Sequence, residues 1–258
     1  KVIVCSSHMS EEVSGIFGLP KDKIEVLPNG VEANQFADAV ENVRRNGKEA
    51  FNEPGRLILY VGRLVPEKGV QVLLDAMPTI IRDAPDVRLA IVGTGPAEDM
   101  IRSRSNELGI ADRVHMYGFV EDEVRNELYA KASVAVVPSL YEPFGITALE
   151  AMAAKVPLVT SNAGGLDEIV KHEFNGLKFA ASNVDSLAHN VLRLLTFPEL
   201  GEHIVENAYK DVTSNYDWSQ IASKTIDIYR NVIDSAKQNN WYKHLDRTSE
   251  HRYTTTDM

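Results

Sequence analysis

Apolar residues along the chain fall into two alternating rhythms. Short runs of strand length occur at KVIVC (1–5), IEVL (24–27), RLILYV (56–61), VRLAIVG (87–93), RVHMYGF (113–119), SVAVVPS (133–139) and VPLVTS (156–161). They are apolar at nearly every position, the pattern of strands covered on both faces. Between them lie segments whose apolar residues recur at helical spacing: 11–19, 70–81, 97–108, 123–130, 146–154 and 166–170. The alternation predicts an α/β fold, a Rossmann-like parallel sheet with helices on both faces, and places ligands beyond the carboxyl ends of the strands. Three more helical patterns follow, at 184–195, 199–212 and 218–233. Residues 32–55 lack strong periodicity and read as a loop with a short helix, and the polar stretch 237–258 reads as a flexible tail.

Two strand ends carry chemistry. The run at 133–139 leads into Glu142, Pro143, Phe144, Gly145, Ile146, Thr147, Ala148, Leu149 and Glu150, two carboxylates flanking a helix start. Gly145 allows close approach, and the N–H groups of Gly145, Ile146 and Thr147 together with the helix dipole favour an anion. The structural alternative is a dipole-favouring Glu142 and a solvated helical Glu150. A glycosidase pair is disfavoured, because eight helical residues span about 12 Å and inverting carboxylates sit roughly 6.5–9.5 Å apart, retaining ones closer. The run at 56–61 leads into Gly62, Arg63, Leu64, Val65, Pro66, Glu67, Lys68 and Gly69 before the helix at 70–81. Arg63 offers a planar fork to phosphate oxygens and Lys68 a mobile point charge. This is no Walker A loop, since Lys68 precedes Gly69 and Val70 stands where Ser or Thr would bind magnesium. Gly93 and Gly95 do not make a dinucleotide fingerprint, because Glu98 occupies the third glycine's place.

Together, GRLVPEKG (62–69) and EPFGITALE (142–150) resemble the nucleotide-sugar-binding half of the retaining glycosyltransferases of family 4, which have the two-domain GT-B fold. IEVLPNGV (24–31) resembles that family's interdomain connection, and VTSNAGGLDEIV (159–170) its Gly-Gly loop. The resemblance covers roughly residues 1 to 235. It implies a remnant of the N-terminal acceptor domain at 1–28, a nucleotide-sugar-binding Rossmann-like domain at 29–215, and a crossover helix at 216–236.

The resemblance further implies that Arg63 and Lys68 hold the donor diphosphate, that Glu142 faces the transferred sugar, and that Glu150 accepts from the ribose hydroxyls. Gly62 and the backbone of Phe144, Gly145, Ile146 and Thr147 would meet phosphate and sugar hydroxyls. Tyr117, Phe119 and Val120 would flank the base, and Gly93 would let the cleft floor approach the nucleotide. Departure of the nucleoside diphosphate builds negative charge, which Arg63, Lys68 and the helix N-terminus would stabilise without a metal. The seven histidines show no ligand spacing, and the single Cys5 cannot build a thiolate site. His115 and His172 read as packing or surface residues. No cofactor is expected beyond the nucleotide sugar as donor substrate.

EPFGITALEA, TSNAGGL and NYDWSQ (215–220) look closest to the glycogen-synthase-like branch, which extends an α-1,4-glucan from ADP- or UDP-glucose. Transfer to a lipid or small sugar, and a non-catalytic nucleotide-sugar-binding module, stay open. The chain opens on what resembles the last strand and helix of the acceptor domain, so it is expected to bind a nucleotide sugar and to transfer poorly without the missing N-terminal half. Composition adds exclusions. The net charge of −10, from 27 basic and 37 acidic side chains, leaves no basic patch for nucleic acid. No apolar stretch approaches the 18 or so residues of a membrane span. One cysteine forbids an intrachain disulfide and suits a reducing, cytoplasmic compartment.

Overall fold

The computed structural model describes residues 1–46 and 55–238; the expected tail beyond residue 238 and residues 47–54 lie outside the described residues. β1 (Val2–Val4) and β2 (Ile24–Val26) pair in parallel as a small separate sheet, joined through α1 (Ser7–Phe17). The serine at position 6 starts α1 earlier than the apolar pattern predicts, its side chain accepting from Met9 N at 3.1 Å. α2 (Ala33–Asn46) then crosses to the main body.

The main body is a six-stranded parallel sheet: β3 (Leu57–Val61), β4 (Arg88–Val92), β5 (Val114–Gly118), β6 (Ala132–Val137), β7 (Leu158–Ser161) and β8 (Leu177–Phe179). The helices are α3 (Val70–Asp83), α4 (Glu98–Glu107), α5 (Asp122–Lys131), α6 (Ile146–Ala153), α7 (Gly165–Ile169), α8 (Val184–Thr196), α9 (Pro198–Asn215) and α10 (Trp218–Gln238). Alternation along β3 divides the core. Ile58 and Tyr60 join Leu73 and Met77 of α3, Ile101 of α4 and Val191 of α8 on one face. Leu57 and Leu59 join Val40 of α2, Leu128 of α5, Leu149 of α6 and Val212 of α9 on the other. Both faces are dry, which is why the strand sequences are apolar throughout. The α/β parallel architecture is thus as the periodicity predicts.

Two elements differ from expectation. Residues 33–46 form a full 14-residue helix rather than a loop with a short one; Ala33, Phe36, Ala37, Val40 and Val43 recur at helical spacing, a period diluted when the polar residues that follow are read with them. The three-residue β8 was not foreseen, being too short to read against the surrounding turns. No helix among the described residues is long and apolar enough to cross a membrane.

The strand order β5-β4-β3-β6-β7-β8 fixes where a ligand can sit. From β3 the chain moves outward through β4 and β5, returns to pair β6 with the other side of β3, and then proceeds outward again. The connections after β3 and β6 therefore diverge to opposite faces of the sheet and leave a crevice between them.

Candidate functional site

That crevice is a cleft of about 450 Å³. Its walls are the two segments singled out from the sequence: Gly62, Arg63 and Lys68 after β3, and Glu142, Phe144, Gly145, Ile146 and Thr147 after β6. Sequence reasoning missed other contributors, among them Tyr60 and Ser139 at strand ends, Asn29 from the connection after β2, and Cys5 from the end of β1. Position at the carboxyl end of β3 or β6 was the available signal for the first two.

The loops are bolted to one another before any ligand arrives. Glu67 O accepts from both Leu140 N at 2.8 Å and Tyr141 N at 3.1 Å, tying the first loop to the second. Gly69 stands at φ 69°, and a Cβ there would run into the carbonyl of Pro138. On the far side the Gly-Gly loop backs the second loop: Gly165 N donates to Glu142 O at 2.9 Å. A side chain on Gly164, at φ 53°, would strike that same carbonyl. These contacts explain both glycines physically: each backbone passes too close to its neighbour for a Cβ.

Gly145 caps α6 at φ 120° and supplies no side-chain cap, so the first N–H groups of the helix face the cleft unmasked by a side chain. Opposite them, Lys68 Nζ lies 2.7 Å from Glu142 Oε2, with side chains 25% and 10% exposed. Ser139 Oγ donates to that same oxygen at 3.0 Å. The Tyr60 hydroxyl donates to Arg63 O at 2.9 Å from beneath the loop, and burial, with Glu142 nearby, pushes its pKa well up, keeping it a neutral donor. Burial likewise raises the Cys5 thiol, which lies 3.6 Å from Pro143 O.

Glu150 is held outside the cleft lining, on the α5 side of α6. Its Oε2 accepts from Tyr129 Oη at 3.2 Å, and its Oε1 lies 3.9 Å from Arg125 Nη1. Burial raises its pKa; Arg125 and the Tyr129 hydroxyl oppose the rise. Gly93, Tyr117, Phe119 and Val120 also lie outside the lining of this cleft. Gly93 N donates to Gly118 O at 2.8 Å, and Gly93 passes against the Gly62 carbonyl, so it packs the neighbouring strand end beneath the first loop. Tyr117 stacks at a tilt on His115, with ring centroids 4.7 Å apart, while Phe119 is 76% exposed. His172 Nδ1 accepts from Lys178 N at 2.9 Å. Among the described residues, no group of three or more His, Cys, Asp or Glu could hold a metal ion.

Chemically, the cleft presents a guanidinium, an ammonium and a helix N-terminus around one space, with a carboxylate at its edge. Such a set is chemically suited to a dianionic group and to hydroxyls attached to it.

Comparison with known proteins identifies the family. The family described as "Glycosyl transferases group 1" matches residues 43–211. An uncharacterized glycosyltransferase of Methanocaldococcus jannaschii is 40% identical over 237 residues, covering 91% of this chain and 60% of that protein. The glycogen synthase of Mycobacterium tuberculosis is 35% identical over 228 residues, 88% of this chain and 53% of that one. Among solved structures, sucrose-phosphate synthase from Thermosynechococcus elongatus superposes with a TM-score of 0.76 at 29% identity, covering 91% of this chain and 58% of the other. The chain therefore spans between 53% and 60% of the length of these relatives.

Proposed function

From the premise that the chain belongs to the group 1 glycosyltransferases, we propose that the cleft between β3 and β6 seats the nucleoside diphosphate of a hexosyl donor. The observation that carries this reading is convergence: Arg63, Lys68, Glu142 and the N-terminus of α6 line one 450 Å³ space at the switch point of the sheet. In this reading Arg63 and Lys68 hold the diphosphate, and the exposed N–H groups of α6 complete its charge neutralisation. As the bond to the anomeric carbon breaks, negative charge grows on the departing phosphate, and these preset donors stabilise it more than they stabilise the intact donor. Glu142 faces the transferred sugar and accepts from its hydroxyls. The ribose then extends past the diphosphate cleft to the α5 side of α6, where Glu150, outside that cleft's lining, accepts from its hydroxyls in place of Tyr129.

The hexose is glucose, carried by ADP or UDP and transferred with retention to an acceptor such as an α-1,4-glucan. The glycogen synthase among the relatives supports the glucan assignment. In the same reading residues 1–28 belong to the acceptor half, 29–215 form the donor-binding unit, and 216–236 cross back. The separate β1–β2 sheet supports that division, as does α10, where Ile221 is the one buried residue among those described.

Calorimetric titration with UDP, ADP, GDP and their glucose conjugates tests the assignment. Arg63→Ala loses a charge-assisted phosphate contact and should bind about tenfold or more weakly. Wild-type affinity in that variant would overturn the clamp.

A further inference from the structure

Ser139 has no role in the reading so far, yet it is among the most constrained polar residues of the cleft. It is 1% exposed and stands at the carboxyl end of β6. Its carbonyl accepts from Ser161 Oγ at 2.5 Å, anchoring it to the end of β7. The next two amides are tied to Glu67 O. Its hydroxyl therefore leaves from a fixed point, and it is aimed at Glu142 Oε2.

Lys68 and Ser139 both engage that one oxygen, at 2.7 and 3.0 Å. Oε1 has no hydrogen-bond partner among the described residues, which makes it the oxygen available to a ligand. A difficulty follows once a diphosphate enters, because its charge competes with Glu142 for the Lys68 ammonium. If Lys68 turned to phosphate, Glu142 would lose its cation while remaining largely enclosed, and a carboxylate on a flexible side chain would follow the lysine. A hydroxyl fixed to the sheet prevents this.

We infer that Ser139 is a positioning residue of the donor site: it holds Glu142 Oε2 while Lys68 transfers from the carboxylate to the diphosphate, so that Oε1 stays presented to the sugar. The inference rests on the donor-site reading above and adds to it a division of labour. Lys68 serves the phosphate, and Ser139 serves the sugar through Glu142.

The test compares binding of UDP and ADP with binding of UDP-glucose and ADP-glucose by calorimetry, in wild type, Ser139→Ala and Ser139→Cys. Cysteine keeps nearly the volume of serine but is a weak donor, so it guards against loss of folding in the alanine variant. Expected is nucleoside diphosphate affinity within about twofold of wild type, with glucose-conjugate affinity reduced about tenfold in Ser139→Ala and less in Ser139→Cys, from loss of a hydrogen bond to a charged group. A purely structural role would weaken both ligand classes together, and that outcome overturns the inference. So does an unchanged preference for the conjugate in both variants, which leaves the donor-site reading standing. Failure of wild type to bind any of the four ligands overturns the donor-site reading and the inference with it. Adding Glu142→Gln separates the positioning role from a direct one: if Ser139 acts through Glu142, Ser139→Ala has no further effect on conjugate affinity in that background, and an undiminished tenfold loss there overturns the route through the carboxylate.

Discussion

Glu142 and Glu150 stand at the two ends of one short segment and are comparably enclosed, at 10% and 17% side-chain exposure. Their electrostatic circumstances nonetheless differ. Glu142 meets an ammonium at 2.7 Å and a hydroxyl on the same oxygen. Glu150 meets a phenol at 3.2 Å and a guanidinium no closer than 3.9 Å, and its pKa is driven up by burial. The guanidinium of Arg125 is shared elsewhere: Nη1 lies 3.1 Å from Asp122, the group sits 5.1 Å over the Phe36 ring, and its Nε is buried without a partner. At Glu150 burial outweighs a cation that stands no closer than 3.9 Å, and the charged form is disfavoured. One end of the segment has an ammonium in direct contact, while at the other the charged form is costly.

The contrast can be broken most severely from behind. Gly164→Ala forces a side chain against the Glu142 carbonyl at a positive φ, and should cost about 3 kcal/mol in urea unfolding while leaving the Tyr129–Glu150 contact in place. Lys68→Ala would convert Glu142 into an enclosed carboxylate resembling Glu150. We expect a stability loss of about 2 kcal/mol, below the value for fully buried pairs because Lys68 is one quarter exposed, with nucleoside diphosphate affinity falling about tenfold. Tyr129→Phe removes the phenolic donor from Glu150 and should cost about 1 kcal/mol, with no change at Glu142. The smallest effect sharpens the comparison by pH. Because the folded Glu150 carboxyl titrates above its ordinary 4.5, the folded state binds that proton more tightly than the unfolded chain. Its contribution is therefore fully present below 4.5 and is lost as pH rises through the folded value. Glu150→Gln should remove that decline from the stability-versus-pH curve, and a decline of unchanged slope would contradict the assignment.

The sheet and the two loops were legible because each is local: an apolar run, a glycine, and cations or carboxylates within a few residues; that the loops share one cleft was implied only by the family resemblance. What stayed hidden depends on contacts between distant segments. Nothing in 159–170 announces that Gly164 abuts Glu142, nor that Tyr129 and Arg125 would flank Glu150 from another helix. Ser139 reads as an ordinary turn serine until β7 supplies Ser161 behind it. The helix at 33–46 escaped for a different reason: its apolar period, through Ala33, Phe36, Ala37, Val40 and Val43, fades when averaged over the polar residues up to 55. Sites whose residue types are common, and whose meaning comes from who stands opposite, are the ones a single sequence conceals.

The single carbonyl of Glu67 that receives two amides from across the cleft has a kinetic consequence. With both walls already tied together, here and through Lys68 and Glu142, an arriving ligand has little chain left to immobilise, so the entropic toll of ordering loops is already met on folding. If the cleft takes a diphosphate as proposed, its capture is then governed by diffusion and by attraction between opposite charges, and the rate should fall as added salt screens that attraction.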